Sequence, residues 1–160
     1  MTTTPKTELT FIGLGRMGIA MCARLVEAGY TVHGFDTDAA AREAASDLGI
    51  RVYADITEAI TAQEAERKVV WIMVPSRYVH DVVTKVRKKL STDDVIIDGG
   101  NSFFRDSVHL HDDLQNDGIH LVDVGTSGGV EGARNGASLM VGGTNDVVLS
   151  ISDIFETLAM

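Results

Sequence analysis

The chain has 160 residues, 44% hydrophobic and 23% charged. That is the balance of one soluble globular domain rather than a disordered polymer, and no apolar run approaches the roughly 20 residues of a membrane span. A net charge of −9 sets up a field that repels nucleic acid and anionic membranes, so neither is an expected partner. The polar, Thr-rich start from Met1 to Glu8 lacks the apolar core of a signal peptide, and the lone Cys22 cannot form an internal disulfide; both features favour the cytoplasm.

Strand and helix signals alternate along the chain. Leu9 to Leu14 reads as a buried strand, followed by a helix from about Arg16 with Met17, Ala20, Met21 and Leu25 on one face and Gly29 as its stop. Thr31 to Asp36 is the next strand, and Asp38 is placed to cap an Ala- and Glu-containing helix that ends near Gly49. Arg51 to Ala54 reads as a short strand, with a helix near Ile56 to Ala62. Lys68 to Val74 is a strongly apolar strand ended by Pro75, with Ser76 as the expected N-cap of a helix bearing Val79, Val82, Val83, Val86 and Leu90. Asp94 to Asp98 is another buried strand, and Phe103, Ser107, Leu110 and Leu114 outline the helix after it. Ile119 to Val124 and Ser138 to Val141 read as strands, and Asn145 as the cap of a final helix to about Ala159. The expected fold is therefore α/β, a Rossmann-type, doubly wound, mainly parallel sheet with helices on both faces. Such sheets bind ligands outside the carboxyl ends of their strands, where strand order reverses.

Gly13-Leu14-Gly15-Arg16-Met17-Gly18 fits G-x-G-x-x-G. The first glycine permits a tight turn, the second lets a pyrophosphate approach the backbone, and the third lets helix and strand pack closely. Alone the motif is weak. Here it follows a buried strand, opens a helix, and has an acid, Asp36, at the end of the next strand. A carboxylate there accepts hydrogen bonds from the adenosine ribose of NAD and repels the 2′-phosphate of NADP by a few kcal/mol, as an order of magnitude. Thr37 and Asp38 offer no adjacent cation, and Arg42 is the nearby residue able to fold back. NAD is the expected cofactor, ahead of NADP. The plainer alternative makes Asp36 and Asp38 turn and cap residues.

Three further clusters follow strand ends: Val74-Pro75-Ser76, Asp98 to Ser102, and Gly125 to Gly143. With Gly13 to Gly18, the stretches IIDGGNS (Ile96 to Ser102) and SGGVEGARNGASLMVGG (Ser127 to Gly143) closely resemble 6-phosphogluconate dehydrogenase. By that resemblance Gly13 to Gly18 hold the cofactor pyrophosphate, Val74, Pro75 and Ser76 line the nicotinamide, and Asn101 touches both nicotinamide and substrate. Ser127, Gly128 and Gly129 would bind 6-phosphogluconate, a role suited to backbone N–H groups unobstructed by side chains. The implied reaction is oxidation at C3 with NAD reduction, then loss of CO₂ to ribulose 5-phosphate, a step of the pentose phosphate pathway. The family's lysine base and glutamate acid come from a following helix and an all-helical second domain, and their counterparts are expected beyond Met160. Residues 1–160 are thus expected to form the NAD-binding domain, to contain no catalytic residue, to be inactive alone, and to belong to a homo-oligomer at full length.

Asp36-Thr37-Asp38 departs from the Asn-Arg-Thr of NADP-using members and resembles the shorter NAD-preferring ones, while Pro75-Ser76 replaces a stretch that often carries Lys. Another β-hydroxyacid dehydrogenase, acting on 3-hydroxyisobutyrate or tartronate semialdehyde, and a non-catalytic NAD-binding module are the alternatives. Gly99-Gly100-Asn101-Ser102 favours the sugar acid over the first.

Several residues have plainer readings. Gly99, Gly100, Gly142 and Gly143 suit turns with positive φ, Ser102 a helix N-cap, Cys22 packing, and Arg134 a helix-end charge. His109 and His111 are two apart and share no helix face, and His33, His80 and His120 are scattered, so no metal is expected. Lys85, Lys88 and Lys89 fall on a helix away from the expected cleft.

Overall fold

A computed structural model describes residues 8–160. Seven strands, β1 (Glu8–Ile12), β2 (Thr31–Phe35), β3 (Arg51–Tyr53), β4 (Val69–Ile72), β5 (Val95–Asp98), β6 (His120–Ser127) and β7 (Ser138–Gly142), form one sheet in the order β3-β2-β1-β4-β5-β6-β7. The first six are parallel, and β7 runs antiparallel to β6, pairing Ser127 with Ser138 and Asp123 with Gly142. β4 and β5 are buried at every position, as central parallel strands covered on both faces must be.

Helices α1 (Arg16–Glu27), α2 (Ala39–Asp47), α3 (Ile56–Thr61), α4 (Ser76–Val86) and α5 (Phe104–Gln115) occupy the crossovers, followed by α6 (Gly129–Asn135), α7 (Asn145–Ser150) and α8 (Ser152–Leu158). Two apolar layers result. One gathers Met21, Leu25, Trp71, Ile97 and Phe155, with Trp71 stacked on Phe11 at 5.7 Å between centroids. The other, beneath α4 and α5, gathers Ile12, Ile72, Val79, Val83, Ile96 and Leu114. Cys22 is fully buried in the first layer, and burial pushes its thiol well above the ordinary range; it is a packing residue.

The structure corrects several local expectations. α6 occupies a stretch to which no element was assigned, a helix of seven residues that turns Ala133 into the core. The final helix is two, since Ile151 leaves helical geometry (φ −124°, ψ 18°) to bury its side chain. Pro75, not Ser76, is the N-cap residue of α4, and Thr144, not Asn145, that of α7. Phe103, expected on the buried face of α5, is its N-cap residue and 57% exposed. Gly99, Gly100, Gly142 and Gly143 all have ordinary backbone angles, and the left-handed position in that turn is Asn101, at φ 54°. Asp38 does cap α2, accepting the Ala40 N–H at 2.9 Å, and Arg134 pairs with Glu27 as a surface charge. After α8 the chain lies along the segment that follows α6: the Ala137 N–H donates to the Leu158 carbonyl at 3.0 Å, and the Met160 N–H to the Ala137 carbonyl at 3.2 Å.

Candidate functional site: the carboxyl edge of the sheet

β1, β2, β4, β5 and β6 run parallel, so the segments that leave their carboxyl ends line one edge of the sheet. Strand order reverses between β1 and β4, where a crevice opens. The glycine turn leaves β1 at that crevice. Gly13 has φ +100°, and a Cβ on it would meet the Met73 carbonyl oxygen at 2.2 Å; a Cβ on Gly18 would meet the Gly13 carbonyl oxygen at 2.0 Å. Both glycines exist for close backbone approach. Gly15 differs, because nothing lies within 4 Å of the Cβ position it lacks, and its φ of −69° is open to any residue.

The Gly13 N–H donates to the Phe35 carbonyl at 2.9 Å, and the Leu14 N–H to Asp36 Oδ2 at 2.8 Å. The first bond within α1 runs from the Ile19 N–H to the Gly15 carbonyl at 2.9 Å. The N–H groups of Arg16, Met17 and Gly18 therefore have no intrahelical acceptor, and Gly15 and Arg16 are exposed. A glycine over open space beside free amides at the positive end of a twelve-residue helix fits a pyrophosphate.

Asp36 sits half-buried just past β2. Its Oδ2 takes the Leu14 N–H and its Oδ1 the Asp38 N–H, at 2.8 Å each, so the carboxylate ties the β1 turn to the β2 turn. Each oxygen keeps a lone pair for a further donor, such as a ribose hydroxyl. Thr37 is exposed beside it.

Val74 is half-buried and Pro75 and Ser76 are exposed between β4 and α4. The β5–α5 turn packs on this segment, for a Cβ on Gly100 would come within 2.5 Å of the Val74 carbonyl oxygen. Asn101, exposed and left-handed, projects from that turn. Asn is among the few side chains that tolerate this geometry, and strain of the kind recurs where a side chain is held for a ligand. Ser127 ends β6, while Gly128 (φ +122°) and Gly129 (φ +62°) open α6, all three exposed. The sequence-derived positions are thus brought to one edge, spread from Asp36 to Ser127. Met160, the position beyond which the base and acid are expected, lies outside this constellation. It is 95% exposed, packs beside Gly136 after α6, and carries no group able to move a proton.

Two carboxylates were not foreseen. Asp98 is completely buried; its Oδ1 accepts the Gly100 N–H at 2.9 Å and its Oδ2 the Ser102 hydroxyl at 2.6 Å, which folds the turn that presents Asn101. Ser102 therefore braces this turn rather than capping α5. Asp123, level with Asp98 on β6, is half-buried, and its carboxyl is pushed up by burial and then by the Asp98 charge. It lines a cleft of about 390 Å³ with Asn101, Ser102 and Met140. The sequence offered only that Asp98 closes an apolar run, which is equally the mark of a turn, while Asp123 sits inside the run Ile119 to Val124 with no signal of its own. A larger cavity, about 500 Å³, lies between α4 and α5 behind the Asn101 turn, lined by His80, Asp98, Ser102 and His109 among others. The glycine turn lines neither of these cavities, and its Gly15 and Arg16 are exposed. Among the described residues no group of three His, Cys, Asp or Glu side chains is placed to hold a metal ion, and no helix is long and apolar enough to cross a membrane.

A family model described as the NAD binding domain of 6-phosphogluconate dehydrogenase matches residues 8–160. An NAD(+)-dependent, decarboxylating 6-phosphogluconate dehydrogenase of Haloferax volcanii is 37% identical over 153 residues, covering 95% of this chain and 50% of that protein. The solved 3-hydroxyisobutyrate dehydrogenase of Mycobacterium tuberculosis, with L-serine, is 31% identical with a TM-score of 0.89, covering 96% of this chain and 52% of that one. The Plasmodium falciparum 6-phosphogluconate dehydrogenase, solved apo, with NADP+ and with 6-phosphogluconate, has a TM-score of 0.86 at 23% identity over 95% of this chain and 34% of that one, which shows a shared fold. The chain spans 51% of the length of one curated relative and 33% of another.

Proposed function

Because the chain belongs to the family of NAD-binding domains of 6-phosphogluconate dehydrogenase, we propose that it is the cofactor domain of an NAD-preferring enzyme that converts 6-phosphogluconate to ribulose 5-phosphate and CO₂. The observation that carries this reading is the exposed start of α1, where Gly15 faces open space and the Arg16, Met17 and Gly18 amides have no intrahelical acceptor. Gly13 to Gly18 hold the pyrophosphate, Asp36 takes the adenosine ribose with Thr37 beside it, and Val74, Pro75 and Ser76 line the nicotinamide. Bound NAD supplies the hydride acceptor for the C3 hydroxyl. Asn101, fixed in its turn by Asp98, orients that hydroxyl, and the Ser127 hydroxyl with the Gly128 and Gly129 amides binds the sugar acid.

Proton transfer at C3 and at the enediol needs a base and an acid. Lys85, Lys88 and Lys89 lie on α4 and the 3-10 turn after it, and none lines the clefts beside Asn101. Those groups are supplied from beyond Met160, by an all-helical second domain of a longer, homo-oligomeric enzyme, in keeping with relatives two to three times this length. Calorimetry with NAD and NADP tests the binding role: one NAD site, with NADP weaker, is expected, and tighter NADP binding would overturn the Asp36 assignment. NADH formation from 6-phosphogluconate by residues 1–160 alone would overturn the division of labour.

A 3-hydroxyisobutyrate-type activity is the second reading, favoured by the Mycobacterium tuberculosis neighbour. The Gly99-Gly100-Asn101-Ser102 turn favours the sugar acid. Turnover of both substrates by the longer enzyme decides between them, and turnover of neither leaves a non-catalytic NAD-binding module.

A further inference from the structure

Arg42 lies on α2, six residues past Asp36, and folds back over the β2–α2 turn. Its Nη1 donates to the Asp36 carbonyl oxygen at 2.8 Å and to that of Thr37 at 3.4 Å. The guanidinium is half-buried and makes no ion pair among the described residues. Its Nε and Nη2 have no acceptor there. A cation with no ion-pair partner among the described residues is therefore anchored to the backbone of the residue whose carboxylate is assigned to the ribose.

The two charges act oppositely on a phosphate at the ribose 2′ position. Asp36 cannot swing aside to relieve the repulsion, because each of its oxygens is held by a backbone N–H. Arg42 has its position already fixed through one nitrogen, which leaves the rest of its planar fork for a phosphate. We propose that Arg42 is a second specificity-determining residue, a held cation that receives the 2′-phosphate of NADP once the Asp36 charge is removed. Rejection of NADP then rests chiefly on the Asp36 carboxylate, with Asp38 exposed on the same turn, and Arg42 is the cation already anchored beside them. This inference rests on the dinucleotide-binding role of the turn proposed above.

The test measures Kd for NAD and NADP with the chain itself, its Asp36→Asn variant, and Asp36→Asn combined with Arg42→Gln, each checked by thermal melting. Gln keeps a donor for the two carbonyls and loses the charge. Asp36→Asn is expected to shift the NADP-to-NAD affinity ratio at least 100-fold toward NADP, and Arg42→Gln in that background to return at least tenfold of it. Should Asp36→Asn not fold, Asp36→Ser takes its place, and Arg42→Gln alone should still lower the ratio of NADP to NAD affinity. An anchoring role alone would weaken both dinucleotides equally, and an unchanged ratio on losing Arg42 would overturn the proposal. Failure of the unaltered chain to bind either dinucleotide would count instead against the cofactor role itself.

Discussion

Gly15 and Gly18 differ by three positions and have opposite physical reasons to be glycine. Gly18 is where α1 crosses the Gly13 carbonyl, so any Cβ collides with backbone at 2.0 Å. Gly18→Ala is expected to cost at least about 2 kcal/mol in a denaturant titration, or to prevent folding. Gly15→Ala meets no protein atom within 4 Å at an ordinary φ, so stability should stay within about 0.5 kcal/mol. Its NAD affinity, measured by calorimetry, should fall tenfold or more, because the methyl group enters the space kept for the pyrophosphate. A Gly15→Ala variant that binds NAD normally would remove the reason given for that glycine. The glycine spacing and the acid after β2 were legible because each follows from local chain geometry. The Asp98 brace and the left-handed backbone of Asn101 were not, since Asp98 reads as an ordinary strand-end acid and the turn's three polar partners meet only after folding.

At the scale of elements, Arg24 binds α1 to the end of the chain. Its Nε and Nη2 donate to the carbonyls of Thr157 and Ala159 at 2.5 and 2.9 Å, and Nη1 reaches that of Arg134 at 3.5 Å. Charged donors on otherwise unpaired helix-end carbonyls contribute more than neutral ones, so Arg24→Met should lower stability by about 1.5–3 kcal/mol by thermal or chemical melting. A loss below about 0.5 kcal/mol would show that α8 docks through its apolar face alone. Across the first three strands, His33 Nε2 donates to the Glu8 carboxylate at 2.9 Å and Nδ1 lies 3.0 Å from the Tyr53 hydroxyl. Burial alone would raise the Glu8 carboxyl; the hydrogen bonds from His33 and the Ala65 and Glu64 amides outweigh it and hold the group below its ordinary 4.5. A depressed carboxylate stabilises the fold above the unfolded value and ceases to do so as pH falls below it. Glu8→Gln should therefore flatten the decline of stability with acid below about pH 4.5, and an unchanged acid limb would mean that Glu8 is not the group responsible. Strands were legible as short apolar runs and the long helices from the 3.6-residue period. α6 was not, because Gly128 and Gly129 precede a single buried position, Ala133, too little for any periodicity. The break at Ile151 was hidden for a related reason, as α7 and α8 carry apolar residues in continuous helical spacing.

For the whole molecule, a mainly parallel sheet with its binding edge at the carboxyl ends of the strands was legible, whereas the order that sets β1 beside β4 at the switch point comes from the structure. The reversal of β7 was not legible either, because strand direction is set by how α6 returns the chain over α1 rather than by the strand's own residues. An acidic chain with a net charge of −9 must bind an anionic dinucleotide through local dipoles against its own field. That requirement makes the amides at the start of α1 the central claim. Following the backbone amide resonances of ¹⁵N-labelled protein during titration with NAD tests it most directly. The largest shifts are expected at Gly15 to Gly18 and at Asp36 to Asp38, with smaller ones at Val74 to Ser76. Shifts concentrated in the cavity between α4 and α5, with Gly15 to Gly18 unmoved, would contradict it.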